Sequence, residues 1–280
     1  MGTAEHDAVV QRSFEQQVGL FTGERALFAR RPLSALAWVE PLDADMITLD
    51  VACGAAHVAE QIAPHVRQVV GLDVTPALLA VGADRLRQLG VANVLLQEGN
   101  AAALPFVDES FDLVVCRAAL HHFTDPGQTV AEMARVCRAN GRVAVVDMVA
   151  PTSEVRDAFD EVHRSIDPSH AGALLEAELA ELLRTRVGPL TYAETLPPFT
   201  VALDHILTDA ADRGAVRTRL DADLAGGAPT GLRPQLEDGR VHISISSTVV
   251  HATRPPGVAP AAARGRPAPT SLKRPSRGSR

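Results

Sequence analysis

Two acids close two apolar runs early in the chain. Asp50 ends "MITLDVA" (46–52) and Asp73 ends "QVVGLDV" (68–74), with Gly54 lying 19 residues before Asp73. A backbone that must pass close to a ligand needs a residue without a Cβ, and Gly54 stands in such a turn. A carboxylate at the tip of a second strand, here Asp73 with Val74 beside it, can accept from both hydroxyls of a ribose and repels a 2′-phosphate. The structural alternative is an acid favoured by the dipole of the helix starting at Thr75-Pro76; the spacing from Gly54 favours sugar binding. A pyrophosphate-binding fingerprint wants glycine at three positions, which here hold Ala52, Gly54 and His57. A ligand with a sulfonium and an amino acid in place of phosphates needs less room and no anion nest.

Two further loops complete the set. In "EGNAAALPF" (98–106), the Asn100 amide oxygen can accept from an adenine amine and the Ala101 N–H can donate to a ring nitrogen. Leu104, Pro105 and Phe106 would wall the base. An Asx turn at Asn100 is the structural alternative. In "VVCRAALHHFTDP" (114–126), the residues from Arg117 and Ala118 to His122 are expected to face the reacting end of the ligand. His121 and His122 titrate near neutral pH and are candidate general bases, as are His163 and His170 further on. Adjacent histidines are more often structural, one packed and one hydrogen-bonded.

These loops need strands to hold them. Strand-like and helix-like segments alternate from Met46 to Val149: strands at 46–52, 68–74, 93–99, 111–118 and 142–149, with helices between. Thr75 and Asp125 each precede a proline at a helix start. Val130, Met133, Ala134 and Cys137 form one helical stripe, which Asn140-Gly141 is expected to close. The alternation predicts a doubly wound, mostly parallel α/β sheet with helices on both faces, and ligands at the carboxyl ends of its strands. After Pro151 the pattern predicts two helices over 153–186, a strand at 189–196, helix over 199–224 and an edge strand at "VHISISSTVVHA" (241–252). The domain reading is an N-terminal helical lid (1–40), a core (41–150), a helical acceptor cap with C-terminal strands (151–253) and a basic tail (254–280). Phe14, Phe21 and Phe28 recur every seven residues on the lid, as packing residues more than as acceptor contacts.

Composition excludes several classes. The chain has net charge −7, and residues 254–280 hold seven basic residues and no acid, so the body carries −14. An acidic body with few aromatics is a poor nucleic-acid surface. The Pro-, Ala- and Gly-rich tail cannot bury enough surface to order itself. Cys53, Cys116 and Cys137 form no CxxC pair, which argues against disulfides or a metal site and suits the cytoplasm. No leader-like segment opens the chain, and no apolar run is long enough to span a bilayer.

Together, "LDVACGAAHVA", "VVGLDVTPALL", "EGNAAALPF" and "SFDLVVCRAALHHFTDP" resemble class I S-adenosylmethionine-dependent methyltransferases, in the branch of ubiquinone and menaquinone biosynthesis. The similarity covers about residues 45–150 in the family's order and spacing. It implies a Rossmann-like seven-stranded sheet with an antiparallel last strand, S-adenosylmethionine as cofactor, and methyl transfer to O, N or C of a small organic acceptor. By position, Asp50, Ala52 and Gly54 would line the methionine end and Asp73 the ribose. Asn100 and Ala101 would hold the adenine, with Arg117 and Ala118 below the sulfonium. Ala52 and Ala56 stand where glycines are common, and Asn100 where Asp is common. These departures motivate a rival reading as a non-catalytic nucleoside binder. A nicotinamide oxidoreductase is the other rival, opposed by His57. Holding nucleophile, methyl carbon and sulfur in line can supply up to about 7–11 kcal/mol. A phenol or activated carbon acceptor would also need a base, worth about 10²–10⁴-fold.

Overall fold

The computed structural model describes residues 3–21 and 35–257. Helices α1 (Thr3–Gln16), α2 (Val18–Phe21) and α3 (Ala35–Val39) precede the first strand. Then β1 (Ile47–Val51), α4 (His57–Ile62), β2 (Gln68–Asp73), α5 (Pro76–Gln88), β3 (Val94–Glu98), β4 (Phe111–Arg117), α6 (Pro126–Val136) and β5 (Cys137–Val149) follow in the predicted alternation. The sheet order up to here is β3-β2-β1-β4-β5, all parallel. The chain winds outward from β1 to β3, then returns to the other side of β1 with β4. The carboxyl ends of β1 and β4 thus diverge into a crevice.

Alternation along β4 assigns its residues to two cores. Val114 and Cys116 face Leu49, Met133, Leu179 and Leu183. Leu113 and Val115 face the other layer, with Trp38, Ile62 and Leu86. Helix α8 (Glu176–Arg186) supplies Leu179 and Leu183, so it packs on the main sheet rather than in a cap. The cap consists of α7 (Ser153–Ile166), β7 (Phe199–Ala202), α9 (Arg213–Leu224) and β8 (Gln235–Glu237) around a third cluster that includes Phe159, Leu220 and Ile243.

Three expectations need correction. The stretch 199–224 is not one helix: Phe199–Ala202 is a short strand paired antiparallel with residues 242–245, and the helix begins only at Arg213, capped where Asp212 accepts from Ala215 N at 3.0 Å. Helix α6 stops at Val136, so Cys137 opens the fifth strand and Asn140 turns through φ 62° within it. The last strand, β9 (Arg240–Thr253), is antiparallel but not an edge. It lies between β5 and β6 (Leu190–Thr195), so the main path has seven strands. The first part of β9 also pairs with β7 and β8, giving the cap a small antiparallel sheet beside its helices.

Arg254, assigned to the tail by composition, is 4% exposed and bonds Glu109 at 2.9 Å and the Cys137 carbonyl. The rest of the tail from residue 258, and Phe28 of the expected lid, lie outside the described residues. Among the described residues no helix is long and apolar enough to cross a membrane, and no side-chain group could hold a metal ion. The three cysteines are free thiols.

Candidate functional site

The crevice between β1 and β4 opens into a cavity of about 230 Å³ whose wall contains all nine residues expected to hold the nucleoside ligand. Its floor is a turn of unusual backbone. Ala52, Gly54 and Ala56 all have positive φ, at 55°, 53° and 61°. Alanine thus adopts the left-handed geometry that glycine takes freely, at about 1–2 kcal/mol per residue. The tight turn is preserved despite the missing glycines. Helix α5 seats against it at Gly82, where a Cβ would come within 3.1 Å of the Ala55 carbonyl carbon.

The two acids are bound into this turn. Asp73 accepts from Gly54 N and from Thr75 N, each at 2.8 Å, one on each oxygen. The 19-residue spacing read in the sequence is therefore a direct contact. Asp50 accepts from Ala59 N at 3.1 Å. Burial pushes the Asp50 carboxyl up to about 7; the Ala59 amide opposes this, the Asp73 charge adds to it and Arg117 opposes it. Burial also raises Asp73, against its amide bonds. Two buried acids whose pKa values are raised make a pocket that gains by taking up a cation.

Where the adenine is expected, Asn100 forms an Asx turn: its Oδ1 accepts from Ala102 N at 2.8 Å, while Nδ2 donates to Asp7 of α1 at 2.8 Å. Ala101 is buried beside it. The apolar wall expected from Leu104, Pro105 and Phe106 is not there. Leu104 is fully buried in the main core, its N–H bonded to Glu132 and its carbonyl to Arg135. Ala102, Leu78 and Phe123 line the cavity instead.

A second cavity, of about 200 Å³, adjoins the first; Phe14, Arg117, Ala118 and His122 line both. It lies between the ends of β4 and β5 and the cap, and all four candidate histidines share it. Their rings form a ladder: His122 to His121 at 4.1 Å, His121 to His170 at 5.6 Å, His170 to His163 at 5.1 Å. They are not equivalent. His121 Nδ1 bonds Asp147 at 2.5 Å, and Asp147 is itself fixed by the amides of Leu120, at 2.5 Å, and Met148, at 2.7 Å. Burial opposes a charge on His121, but the Asp147 carboxylate outweighs it and holds the imidazole above its ordinary value. Asp147 is held below the usual carboxylate range, burial notwithstanding, by the His121 ring. His122 is pushed down to about 3 by burial and by the His121 charge, and its Nδ1 contacts Ser169. His163 is pushed down to about 3 by burial and His170. Its Nδ1 donates to the Phe159 carbonyl at 2.9 Å, and its Nε2 is buried without a hydrogen-bond partner.

Helix α1 lies over both cavities. His6 Nε2 bonds the His122 carbonyl at 2.8 Å, and Ser13 and Gln17 donate to Asp167 at 2.8 and 3.0 Å. The Phe14 ring meets His122 edge-on at 5.0 Å, so Phe14 walls the site. Sequence reasoning missed Asp147, Asp167 and Asp7. Only Asp147 left a signal, as an acid inside the apolar run 142–149.

The methyltransferase-domain family pattern matches residues 49–145. The uncharacterized methyltransferase YcgJ of Bacillus subtilis is 35% identical over 169 residues, 60% of this chain and 66% of that protein. The 2-phytyl-1,4-naphtoquinone methyltransferase of Synechococcus elongatus is 34% identical over 150 residues, 51% of this chain and 64% of that one. A solved structure of a candidate methyltransferase from Bacillus halodurans matches with a TM-score of 0.69 at 30% identity, covering 80% of this chain and 99% of that chain. The chain spans about two thirds or less of the curated relatives it matches.

Proposed function

The chain belongs to the S-adenosylmethionine-dependent methyltransferases, and on that footing we propose that it moves a methyl group to a small organic acceptor bound in the second cavity. One observation supports this best: Asp50 and Asp73 are buried acids with raised pKa values in the wall of the nucleoside crevice. Such a wall favours a ligand bearing an ammonium and a sulfonium and disfavours the pyrophosphate of a nicotinamide cofactor.

The cofactor supplies an electrophilic methyl group bonded to a cationic sulfur. In this reading Asp73 accepts the ribose hydroxyls on lone pairs its amide bonds leave over, and Asp50 neutralises the methionine ammonium. The turn Ala52–Gly54 lets the backbone pass close to the ligand. Asn100 and Ala101 border the base. Arg117 and Ala118 line both cavities and so border the point of transfer. The chain's contribution is chiefly positional: it holds donor and acceptor in line and excludes water beneath α1. The left-handed Ala52 and Ala56 retain the glycine-type turn, which supports a site able to bind the cofactor.

Calorimetry with S-adenosylmethionine, its demethylated product S-adenosylhomocysteine and NADH tests the reading. Binding of the first two and not of NADH is expected. Binding of NADH alone overturns it.

A further inference from the structure

We infer that the acceptor carries an acidic hydroxyl, a phenol or enol, which the His121–Asp147 pair deprotonates in the second cavity; the inference rests on the methyltransferase reading above. His121 Nδ1 is committed to Asp147 at 2.5 Å, so Nε2 is the nitrogen available to a molecule in the cavity that the ring lines. Asp147 cannot swing away, because the Leu120 and Met148 amides fix its two oxygens. It is therefore a positioning residue: it sets the tautomer of His121 and stabilises the imidazolium. The other rings are weaker bases. Burial and the neighbouring rings push His122 and His163 down to about 3, and burial lowers His170 despite its contact with Asp160 at 2.8 Å, whereas Asp147 raises His121.

The rest of the cavity fits an acceptor with an apolar body. Phe199, Met148, Ile166, Ile206 and Ile245 line it, with Phe14 at the junction to the first cavity. The buried, unpartnered Nε2 of His163 independently calls for a hydrogen-bond donor from a ligand, since an orphaned buried acceptor costs about 1–3 kcal/mol.

The step balances within these groups. The acceptor O–H bond breaks and its proton passes to His121 Nε2. The oxygen's electron pair forms the bond to the methyl carbon while the carbon–sulfur bond breaks, its pair remaining on sulfur. The imidazolium, facing Asp147, then gives its proton to solvent when the products leave. The charged and titratable groups facing His121 are Asp147 on β5, His122 on its own turn, Asp160 and His163 on α7, Asp167 and His170 beyond it, and Arg117 at the end of β4. The carboxylates oppose deprotonation of the ring; His122, His163, His170 and Arg117 oppose its charging.

The test needs no turnover. The full chain, saturated with S-adenosylhomocysteine, is titrated with 4-nitrophenol, which absorbs in the visible only when ionised, and with 4-nitroanisole, its methyl ether. Bound 4-nitrophenol is expected to ionise at least about one pH unit below the free phenol. The ether is expected to bind at least about tenfold more weakly. His121→Gln and Asp147→Asn are each expected to abolish the shift while S-adenosylhomocysteine affinity stays within about threefold. An unshifted midpoint, equal binding of the ether, no phenol binding by the loaded protein, or a shift that survives His121→Gln overturns the inference. If Asp147→Asn does not fold, the wild-type shift and His121→Gln decide alone. Loss of S-adenosylhomocysteine binding by the wild type refutes the methyltransferase reading instead, so the two failures are distinguishable.

Discussion

Removing the Asp73 carboxylate is the sharpest probe of the nucleoside crevice. Each of its oxygens already accepts one backbone N–H at 2.8 Å, from Gly54 or Thr75, and each retains a lone pair for a ribose hydroxyl. A hydrogen bond to a charged group is worth about 1.5–3 kcal/mol. Loss of both sugar contacts therefore weakens S-adenosylhomocysteine by about 3–6 kcal/mol, roughly 10²–10⁴-fold in Kd. Asp73→Ala also frees two turn amides, so an affinity loss alone does not separate grip from scaffold. The 2′-deoxy ligand separates them. With wild type it should lose about 10–100-fold, and with Asp73→Ala almost nothing, because the partner of that hydroxyl has already gone. Calorimetry at pH 8 gives the four constants, and thermal melts confirm folding. Losses that simply add across the cycle would refute the assignment of the ribose to Asp73 and leave it a scaffold residue.

Three further outcomes are expected. Asp50 titrates at about 7 when folded, against about 3.9 in an unfolded chain, so its contribution to stability is full below about pH 4 and is lost as pH rises to about 7. Asp50→Asn should thus be more stable than wild type at pH 8, with no such gain at pH 4, yet bind S-adenosylmethionine more weakly; urea melts at both pH values and calorimetry check this, and a gain confined to low pH contradicts it. Ala52→Gly relieves a left-handed alanine at the expense of unfolded-chain entropy, so it should stabilise by up to about 1 kcal/mol; a loss above about 1 kcal/mol in denaturant titration shows that the Ala52 methyl group packs usefully. Ser13→Ala with Gln17→Ala removes both donors from α1 to Asp167 and should raise acceptor KM by about tenfold, with S-adenosylhomocysteine affinity nearly unchanged; hydrogen exchange in α1 should speed up, and unaltered exchange and KM together dismiss α1 as a lid.

The first half of the site was legible because it is local. Strand, turn and helix follow one another, so Asp50, Gly54 and Asp73 declare their places by type and spacing. The same holds for Asp125, whose side chain caps α6 by accepting from Gln128 N. The histidine cavity was only half legible. Its rings stand out by type, but what separates them is which partner each meets. His121 finds Asp147 26 residues away, and His122 finds Ser169 47 residues away, both through tertiary folding that no periodicity encodes. The same limit explains the strand errors. Alternation in 241–252 announces a strand but not how many neighbours flank it. The four residues of β7 are too few for a period of two to stand out ahead of the helix that follows.

Strand β9 belongs to two sheets at once: Ser246 onward pairs with β5, whereas Ile245 and the residues before it pair with β7. Ile245 and Ser247 flank that crossing, and both line the second cavity. The protein is therefore divided at a seam inside a single strand. On one side, interior pairing fixes register and tolerates little change. On the other, the short β7 and β8 and the loops between them can be resized without shifting the nucleoside crevice. Under the proposed reading, variation of acceptor choice has a ready place to occur there, apart from the crevice walled by Asp50, Asp73 and Asn100.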